Sequence, residues 1–349
     1  MDNEFLGIRE IAQMANVSTA TVSRVINHPE KCSEQTRRKV EKIIKENNYI
    51  PNETIKNIFS KSSNTIAIFI YDISNPFFTN LIMELNSICF KEHYTLLICD
   101  TENDLEKEKE YLKFCIAKRC IGIILTEGVT NTLFKDIKIP FVSLDRKEGV
   151  QVPFVTSENY HIIRKVINYL YNLGHRKIAF VGSKHEFISV EKRYQGYLDE
   201  LEKKNLPFTA EYVYREGEAL DTKLGRRALK YFLSLPEMPT ALLCANDMVA
   251  LGVINEARSM NIDIPDALSV CGFDHVLDEF LPVPLTTVEQ NIPKIAEELF
   301  YSLTQQPDTP VEKIVDSTFI PGKTCARVSS REKLKELSIS ERGAQTCTF

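Results

Sequence analysis

Arg24 and the short polar residues around it are the first side chains whose types and spacing suggest chemistry. If Ser18-Thr19-Ala20-Thr21-Val22-Ser23-Arg24 is helical, Thr19, Ala20 and Arg24 share its outward face. An arginine so placed can give two parallel hydrogen bonds to guanine O6 and N7. Ser18, Thr21 and Ser23 are short hydroxyl donors suited to phosphate oxygens. The charge balance points the same way. Residues 1–64 hold 10 Lys and Arg against 8 Asp and Glu, whereas the whole chain has a formal net charge of −5. Six cations (Lys31, Arg37, Arg38, Lys39, Lys42, Lys45) fall in one run with two acids. A small basic head on an acidic body implies local contact with a polyanion. A solvated helix face would look the same, and any small three-helix module shows such a pattern. Spacing alone leaves both readings open.

Those side chains need a scaffold of short helices. Ile8, Ile11, Ala12 and Ala15 recur at helical spacing. Asn16 breaks the pattern and tolerates the left-handed conformation of a tight turn. Val17 re-enters the core. Ser18 caps a second helix with Val22, Val25 and Ile26 as its buried stripe. Pro29 ends that region, and Ser33 caps a third helix buried through Val40, Ile43 and Ile44. Two helices joined by a tight turn, with a third beside them, satisfy a helix-turn-helix. Pro51-Asn52 then opens a connector, where Ile55, Ile58 and Phe59 allow one short helix that is not stable alone in water.

From Thr65 onward the pattern changes. The expected strands are Thr65–Tyr71, Thr95–Cys99, Gly122–Leu125, Phe141–Leu144, Lys177–Val181, Ala241–Cys244 and Ser269–Phe273, each buried on both sides. Amphipathic segments alternate with them: Phe78–Glu92, Asp104–Ala117, Ile162–Leu173, Arg193–Lys204, Leu224–Leu233, Asp247–Met260 and Pro293–Thr304. This alternation means parallel sheets with crossover helices. The number of units fits two doubly wound lobes with a cleft between them.

Several function classes are disfavoured. Hydrophobic residues make up 43% and charged residues 26%, which excludes a wholly disordered chain. The apolar runs are too short to span a bilayer, and Met1-Asp2-Asn3-Glu4 does not resemble a secretory leader, so no membrane partner and a cytoplasmic location are expected. The nine cysteines never fall at Cys-x-x-Cys spacing, and reduced core thiols are the expected reading, with redox sensing as the alternative. The histidines (28, 93, 161, 175, 185, 275) never fall at His-x-x-x-His spacing. No dinucleotide loop, P-loop or nucleophile elbow is present, so an enzyme, a metal and a cofactor are not expected. His175 reads as structural.

The residues themselves resemble a known family. Ile8-x-x-Ile11-Ala12-x-x-Ala15-x-Val17-Ser18-x-Ala20-Thr21-Val22-Ser23-Arg24-Val25-Ile26-Asn27 is similar to the head of lactose/galactose-repressor (LacI/GalR) regulators. So are Asn48-Tyr49-x-Pro51-Asn52, Asp72-Ile73-Ser74-Asn75-Pro76-Phe77-Phe78, Asp145-Arg146, Gly174-His175-Arg176-Lys177, Arg193-x-x-Gly196-Tyr197, Ala245-Asn246-Asp247, Gly272-Phe273-Asp274 and Pro284-Leu285-Thr286-Thr287-Val288. The match runs in order from about residue 6 to 330. It implies a ligand-responsive repressor that reads a palindromic operator in double-stranded DNA as a homodimer. It implies a body like periplasmic sugar-binding proteins, with three crossovers between two lobes. It adds Asn27 and the hinge residues Lys56 and Ile58 to the DNA-contacting set. Ile58 takes the place of the family's usual Leu wedge, and Ile55-Lys56 the place of its usual Ala-Arg.

For the cleft, the resemblance implies Arg193, Asn246 and Asp274 as polar clamps and Phe77 or Phe78 as an aromatic floor, with Asp145 and Asp72 as further candidates. Asn246-Asp247 reads equally as a helix cap. Phe187, Ser189 and Leu220 match pocket-lining positions, and Lys184, His185 and Lys192 nearby could accept a phosphate. The expected effector is a sugar or sugar phosphate. Glu158 stands in a segment where the family usually has Asp-Asn.

The expected fold is an all-α helix-turn-helix head joined to an α/β body of two doubly wound parallel-sheet lobes. The head covers residues 1–50, and the hinge helix and linker 51–64. The ligand-binding and dimerisation domain covers 65–330, with an N-lobe of about 65–160 and 292–322 and a C-lobe of about 161–291 and 323–330. Residues 331–349 read as a flexible tail, since one heptad at most falls short of a tetramerising coil.

Overall fold

In the head, helix α1 (Ile8–Ala15) stops where Asn16 takes φ 50°, and the Asn16 N–H closes on the carbonyls of Ala12 and Gln13. That single left-handed residue makes the tight turn into α2 (Thr19–Asn27). The Ser18 hydroxyl accepts the Thr21 N–H at 3.1 Å and satisfies one orphan donor of α2. Pro29 does more than end that helix, for it starts a 3₁₀ turn, Pro29–Lys31. Ser33 then caps α3 (Glu34–Glu46) through the Thr36 N–H. Ile11, Ala12, Ala15, Val22, Val25, Val40 and Tyr49 form the core of this small unit, with Ile43 and Ile44 half-buried at its edge.

The computed structural model describes residues 6–47, 49, 63–126, 137–145, 153–184, 187–217, 219–278, 280–305 and 312–328. The chain divides into two compact units between Ser63 and Asn64. The second unit holds two parallel sheets. The first runs in the order β11-β5-β4-β3-β1-β2, from β1 (Thr65–Ile70), β2 (Thr95–Asp100), β3 (Gly122–Leu125), β4 (Phe141–Leu144), β5 (Phe154–Ser157) and β11 (Glu312–Val315). The second runs β7-β6-β8-β9, from β6 (Ile178–Val181), β7 (Val213–Tyr214), β8 (Ala241–Cys244) and β9 (Ser269–Cys271). A two-stranded antiparallel ribbon of β10 (Thr287–Glu289) and β12 (Thr318–Ile320) completes the unit.

The pattern of β1 shows why it sits inside its sheet. Ile66, Ile68 and Ile70 face a core that also contains residues of α4 (Pro76–Lys91) and α10 (Ile292–Gln305), while Ala67 and Phe69 face one that contains residues of α5 (Leu105–Ala117). Both faces are covered, as a parallel sheet requires. The expectation that every strand is buried on both sides fails at β2, an edge strand whose Ile98 is 40% exposed. In the second lobe α6 (Tyr160–Asn172), α7 (Ile188–Lys203), α8 (Thr222–Ser234) and α9 (Asp247–Ser259) flank the sheet. Helices α8 and α9 cross so closely that a Cβ on Gly225 would strike the Val249 carbonyl, and one on Gly252 the Thr222 carbonyl. Only glycine fits either position.

Candidate functional site

The sequence-derived contact residues of the head lie on α2 and its N-cap. Ser18, Thr19, Ala20, Arg24 and Asn27 are exposed, and Thr21 and Ser23 are half-buried. Some of their hydrogen-bonding capacity is used within the helix: Ser18 Oγ and Thr21 Oγ1 lie 2.8 Å apart, and Asn27 Nδ2 donates to Ser23 Oγ at 3.3 Å. Beside the start of α2 lies an open hollow of ≈ 990 Å³ empty volume, whose lining includes Arg9, Gln13, Asn16, Ser18 and Thr19. Cation, amides, hydroxyls and a helix N-terminus suit an anionic backbone. Arg9 and Gln13 are one helical turn apart on the polar face of α1, a spacing visible in the sequence but not used. The basic run of α3 is largely self-paired, through Arg37–Glu41, Arg38–Glu34 and Lys42–Glu46. Lys31, Lys39 and Lys45 stay outside those pairs, and Arg9 and Arg24 are exposed on α1 and α2. Lys56 and Ile58 lie outside the described residues.

In the second unit, a cleft of ≈ 410 Å³ empty volume collects most of the expected ligand residues. Phe77 and Phe78 enter from the start of α4, and Asp145 follows β4. From the other lobe come Ser189 and Arg193 on α7, Asn246 after β8 and Asp274 after β9. Both lobes thus offer the carboxyl ends of their strands, where open α/β sheets bind ligands. Both phenylalanines line the cleft, with ring centroids 5.3 Å apart. Tyr71, Asn75, Leu144 and Gln290 also line it and were not singled out from the sequence.

A polar network holds these groups. Arg193 Nε donates to Asn159 Oδ1 at 2.8 Å and its Nη1 to the Ala245 carbonyl at 2.6 Å, while the guanidinium lies 3.5 Å from the Phe273 ring centroid. Gln290 Nε2 donates to Asp274 Oδ1 at 2.5 Å, and the Ser157 hydroxyl donates to Gln290 Oε1 at 2.6 Å. That chain runs from β5 in one sheet to Asp274, three residues past the end of β9 in the other. Thr156 donates to Asp145 at 2.5 Å. Asn246 is both cap and lining residue: its Oδ1 accepts the Val249 N–H and its Nδ2 donates to the Leu220 carbonyl. Asp247 turns inward to Thr287 and the Val276 N–H and braces the same corner.

The backbone is strained where the carboxyls sit. Asp145 has φ 55° and Asp274 φ 119°, values non-glycine residues rarely adopt. Burial pushes the Asp145 carboxyl up from the ordinary range, while Thr156 and Arg193 pull it down. Burial drives Asp274 up to about 8 against the opposing Arg193, with Asp247 and Asp145 adding to the rise. At neutral pH Asp274 is chiefly a neutral carboxyl, able to donate as well as accept. A guanidinium, two carboxyl groups and three amides beside aromatic rings can grip neighbouring hydroxyls and cover a C–H face.

Other expected residues lie elsewhere. Asp72 is not part of the lining, for its carboxylate accepts the Ser74 N–H and hydroxyl in a local turn. Phe187 stacks on Tyr71 at 5.5 Å instead of lining the cleft. Lys184 and Lys192 are exposed and outside the lining, and His185 lies outside the described residues. Glu158 is a helix cap: its carboxylate accepts the N–H groups of Tyr160, His161 and Ile162. His175 bridges Thr240 and the Ala326 carbonyl, and burial lowers it to about 4. The described cysteines are free thiols.

Two family profiles match the chain: "Bacterial regulatory proteins, lacI family" over residues 7–52 and "Periplasmic binding protein-like domain" over 167–330. The HTH-type transcriptional repressor CytR of Escherichia coli is 30% identical over 314 residues, covering 86% of this chain and 89% of the relative. Among solved structures, the lac repressor dimer bound to operator and the anti-inducer ONPF superposes with a TM-score of 0.79, at 22% identity over 92% of this chain and 99% of that one. A periplasmic binding protein/LacI transcriptional regulator from Alkaliphilus metalliredigens, complexed with D-xylulofuranose, gives 0.65 at 27% identity, over 75% of this chain and 99% of that one.

Proposed function

This chain belongs to the lacI family of bacterial regulatory proteins, and from that premise we propose that it is a homodimeric repressor of carbohydrate-utilisation genes that binds a palindromic operator and a sugar in its cleft. The observation that carries this reading is the convergence of Arg193, Asn246 and Asp274 from one lobe with Phe77, Phe78 and Asp145 from the other on one cleft. Hydroxyl-rich rings need such a mixture of planar polar groups and aromatic faces. A neutral sugar is favoured over a sugar phosphate, because Lys184 and Lys192 lie outside the lining. The complex of the Alkaliphilus relative with D-xylulofuranose supports the same ligand class.

The dimer reading is supported by an apolar strip at the edge of the first sheet. Met83 and Phe90 on α4 are 69% and 82% exposed, and Ile98 on the neighbouring edge strand β2 is 40% exposed. A second copy that covers this strip would remove it from water. The mechanism is a population shift: ligand changes the angle between the lobes, which changes the pairing of the two connectors and so operator affinity. Acting on DNA, the protein works in the cytoplasm.

A thermal-shift screen of the purified chain against neutral sugars, sugar phosphates and purines tests the ligand class. The reading expects a rise in melting temperature with a neutral sugar that Asp274→Ala abolishes. A rise only with phosphorylated sugars or purines would overturn the neutral-sugar reading.

A further inference from the structure

The C-lobe carries a second concavity, which shares no lining residue with the cleft. It is an open groove of ≈ 740 Å³ empty volume between α6 and the end of α7, lined by His161, Arg164, Lys165, Asn168, Glu200, Lys203 and Lys204. Its charge runs against the rest of the body, where residues 65–349 hold 33 Lys and Arg against 40 Asp and Glu.

Glu200 is the single carboxylate of the lining and is already engaged. Its side chain is 4% exposed, takes Arg164 at 2.9 Å and lies 3.9 Å from Lys203. Lys165 and Lys204 have no ion-pair partner among the described residues; Lys204 rests its ammonium 4.9 Å from the Tyr171 ring centroid. Arg176 stacks on the same ring at 3.9 Å. His161 and Lys165 stand one turn apart on α6. Other helices of this chain are built differently. On α5 and α10, Lys109, Lys113 and Lys294 each meet an acid three residues away. The surplus of the groove is left unmatched.

We propose that this groove docks an acidic segment of a partner protein. Pockets for small molecules enclose their ligand between largely apolar walls. This groove is open and each residue that lines it is polar or charged, so it matches the charged contact surface of a protein partner better than a metabolite pocket. Two helices present the four cations along a surface that an extended acidic segment can follow, and unmatched charge of this kind speeds association and selects partners of opposite sign. The proposal does not rest on the sugar reading of the cleft.

The test uses the full chain and a fluorescein-labelled hexaglutamate peptide at low salt, read by polarisation. The expected result is binding that weakens with salt and falls at least tenfold in Lys165→Glu/Lys204→Glu. The variant Arg9→Glu/Arg24→Glu, which changes the head, should bind the peptide as the parent does. A melting curve accompanies each variant; if the charge reversal does not fold, Lys165→Gln/Lys204→Gln should still weaken binding severalfold. Absence of peptide binding, equal affinity in the C-lobe variants, or loss in the head variant instead would each overturn the proposal. So would pyrophosphate binding without peptide binding, which marks a free-phosphate site. A tenfold loss of affinity for a 20-base-pair duplex in Lys165→Glu/Lys204→Glu would overturn it too, since the groove would then be a DNA contact.

Discussion

The head and the cleft use opposite strategies to present function. On the head, Arg24, Thr19 and Ala20 stand in solvent, and the fold beneath them rests on Ile11, Val22, Val25 and Val40. In the cleft, Arg193 is 4% exposed and Asp274 5%, and both are tied into the packing of the lobe. Recognition and stability are therefore separable on the head and entangled in the cleft. A surface reader is tuned one side chain at a time. A buried clamp cannot change without disturbing what holds it.

The largest expected effect tests that entanglement. Arg193→Ala leaves Asn159 Oδ1 and the Ala245 carbonyl without their donor and removes the positive charge beside Asp145 and Asp274, and should cost the body about 3 kcal/mol of stability as well as ligand binding. Calorimetry of the variant measures the first and a ligand titration the second; an unchanged melting temperature would break the contrast. Arg24→Ala should weaken operator binding by about 1–3 kcal/mol, roughly 5–150-fold, and leave the melting temperature unchanged. A gel-shift titration beside a thermal melt separates the two outcomes. Ser18→Ala is the intermediate case, since Ser18 both caps α2 and faces solvent. It should destabilise the head by about 1 kcal/mol, seen in denaturant unfolding of the full chain.

The last expected effect is a pH trend. Asp274 has a folded pKa raised to about 8, so the folded state holds a proton that the unfolded chain releases near the ordinary carboxyl range. Its contribution to stability is present at low pH and is lost as pH rises from about 4 through 8. His175, lowered to about 4, works in the other sense and costs stability as pH falls from about 6.5 to 4. Above pH 6.5 the Asp274 trend stands alone of the two. The melting temperature of Asp274→Asn, relative to the parent, should therefore rise between pH 6.5 and 8.5.

Legibility in the sequence followed the same divide. The head was readable almost residue by residue, because its signals are local: Asn16 in the turn, Ser18 and Ser33 as caps, one apolar stripe per helix. In the body, the long runs such as β1 were plain, while β5, β7, β10, β11 and β12 were missed. β7 has only two residues, β11 is largely exposed, β12 has no buried residue, and β5 and β10 mix polar with apolar residues, so none reads as a buried apolar run. Arg193, Asn246 and Asp274 came to the cleft through family resemblance. Tyr71, Asn75 and Gln290 escaped notice because they follow strand ends and join the cleft only through tertiary packing. The capping role of Glu158 was not legible, because a carboxylate that caps a helix and one that faces a ligand look alike in one dimension.

The central claim is that occupancy of the buried cleft alters what the exposed helix binds. Its direct test is the operator affinity of the purified protein with and without a saturating sugar ligand, in the parent and in Asp274→Ala. The account predicts a change of roughly 5–150-fold in the parent and none in the variant. Unchanged operator affinity in a parent protein shown by calorimetry to be fully loaded with ligand would contradict it.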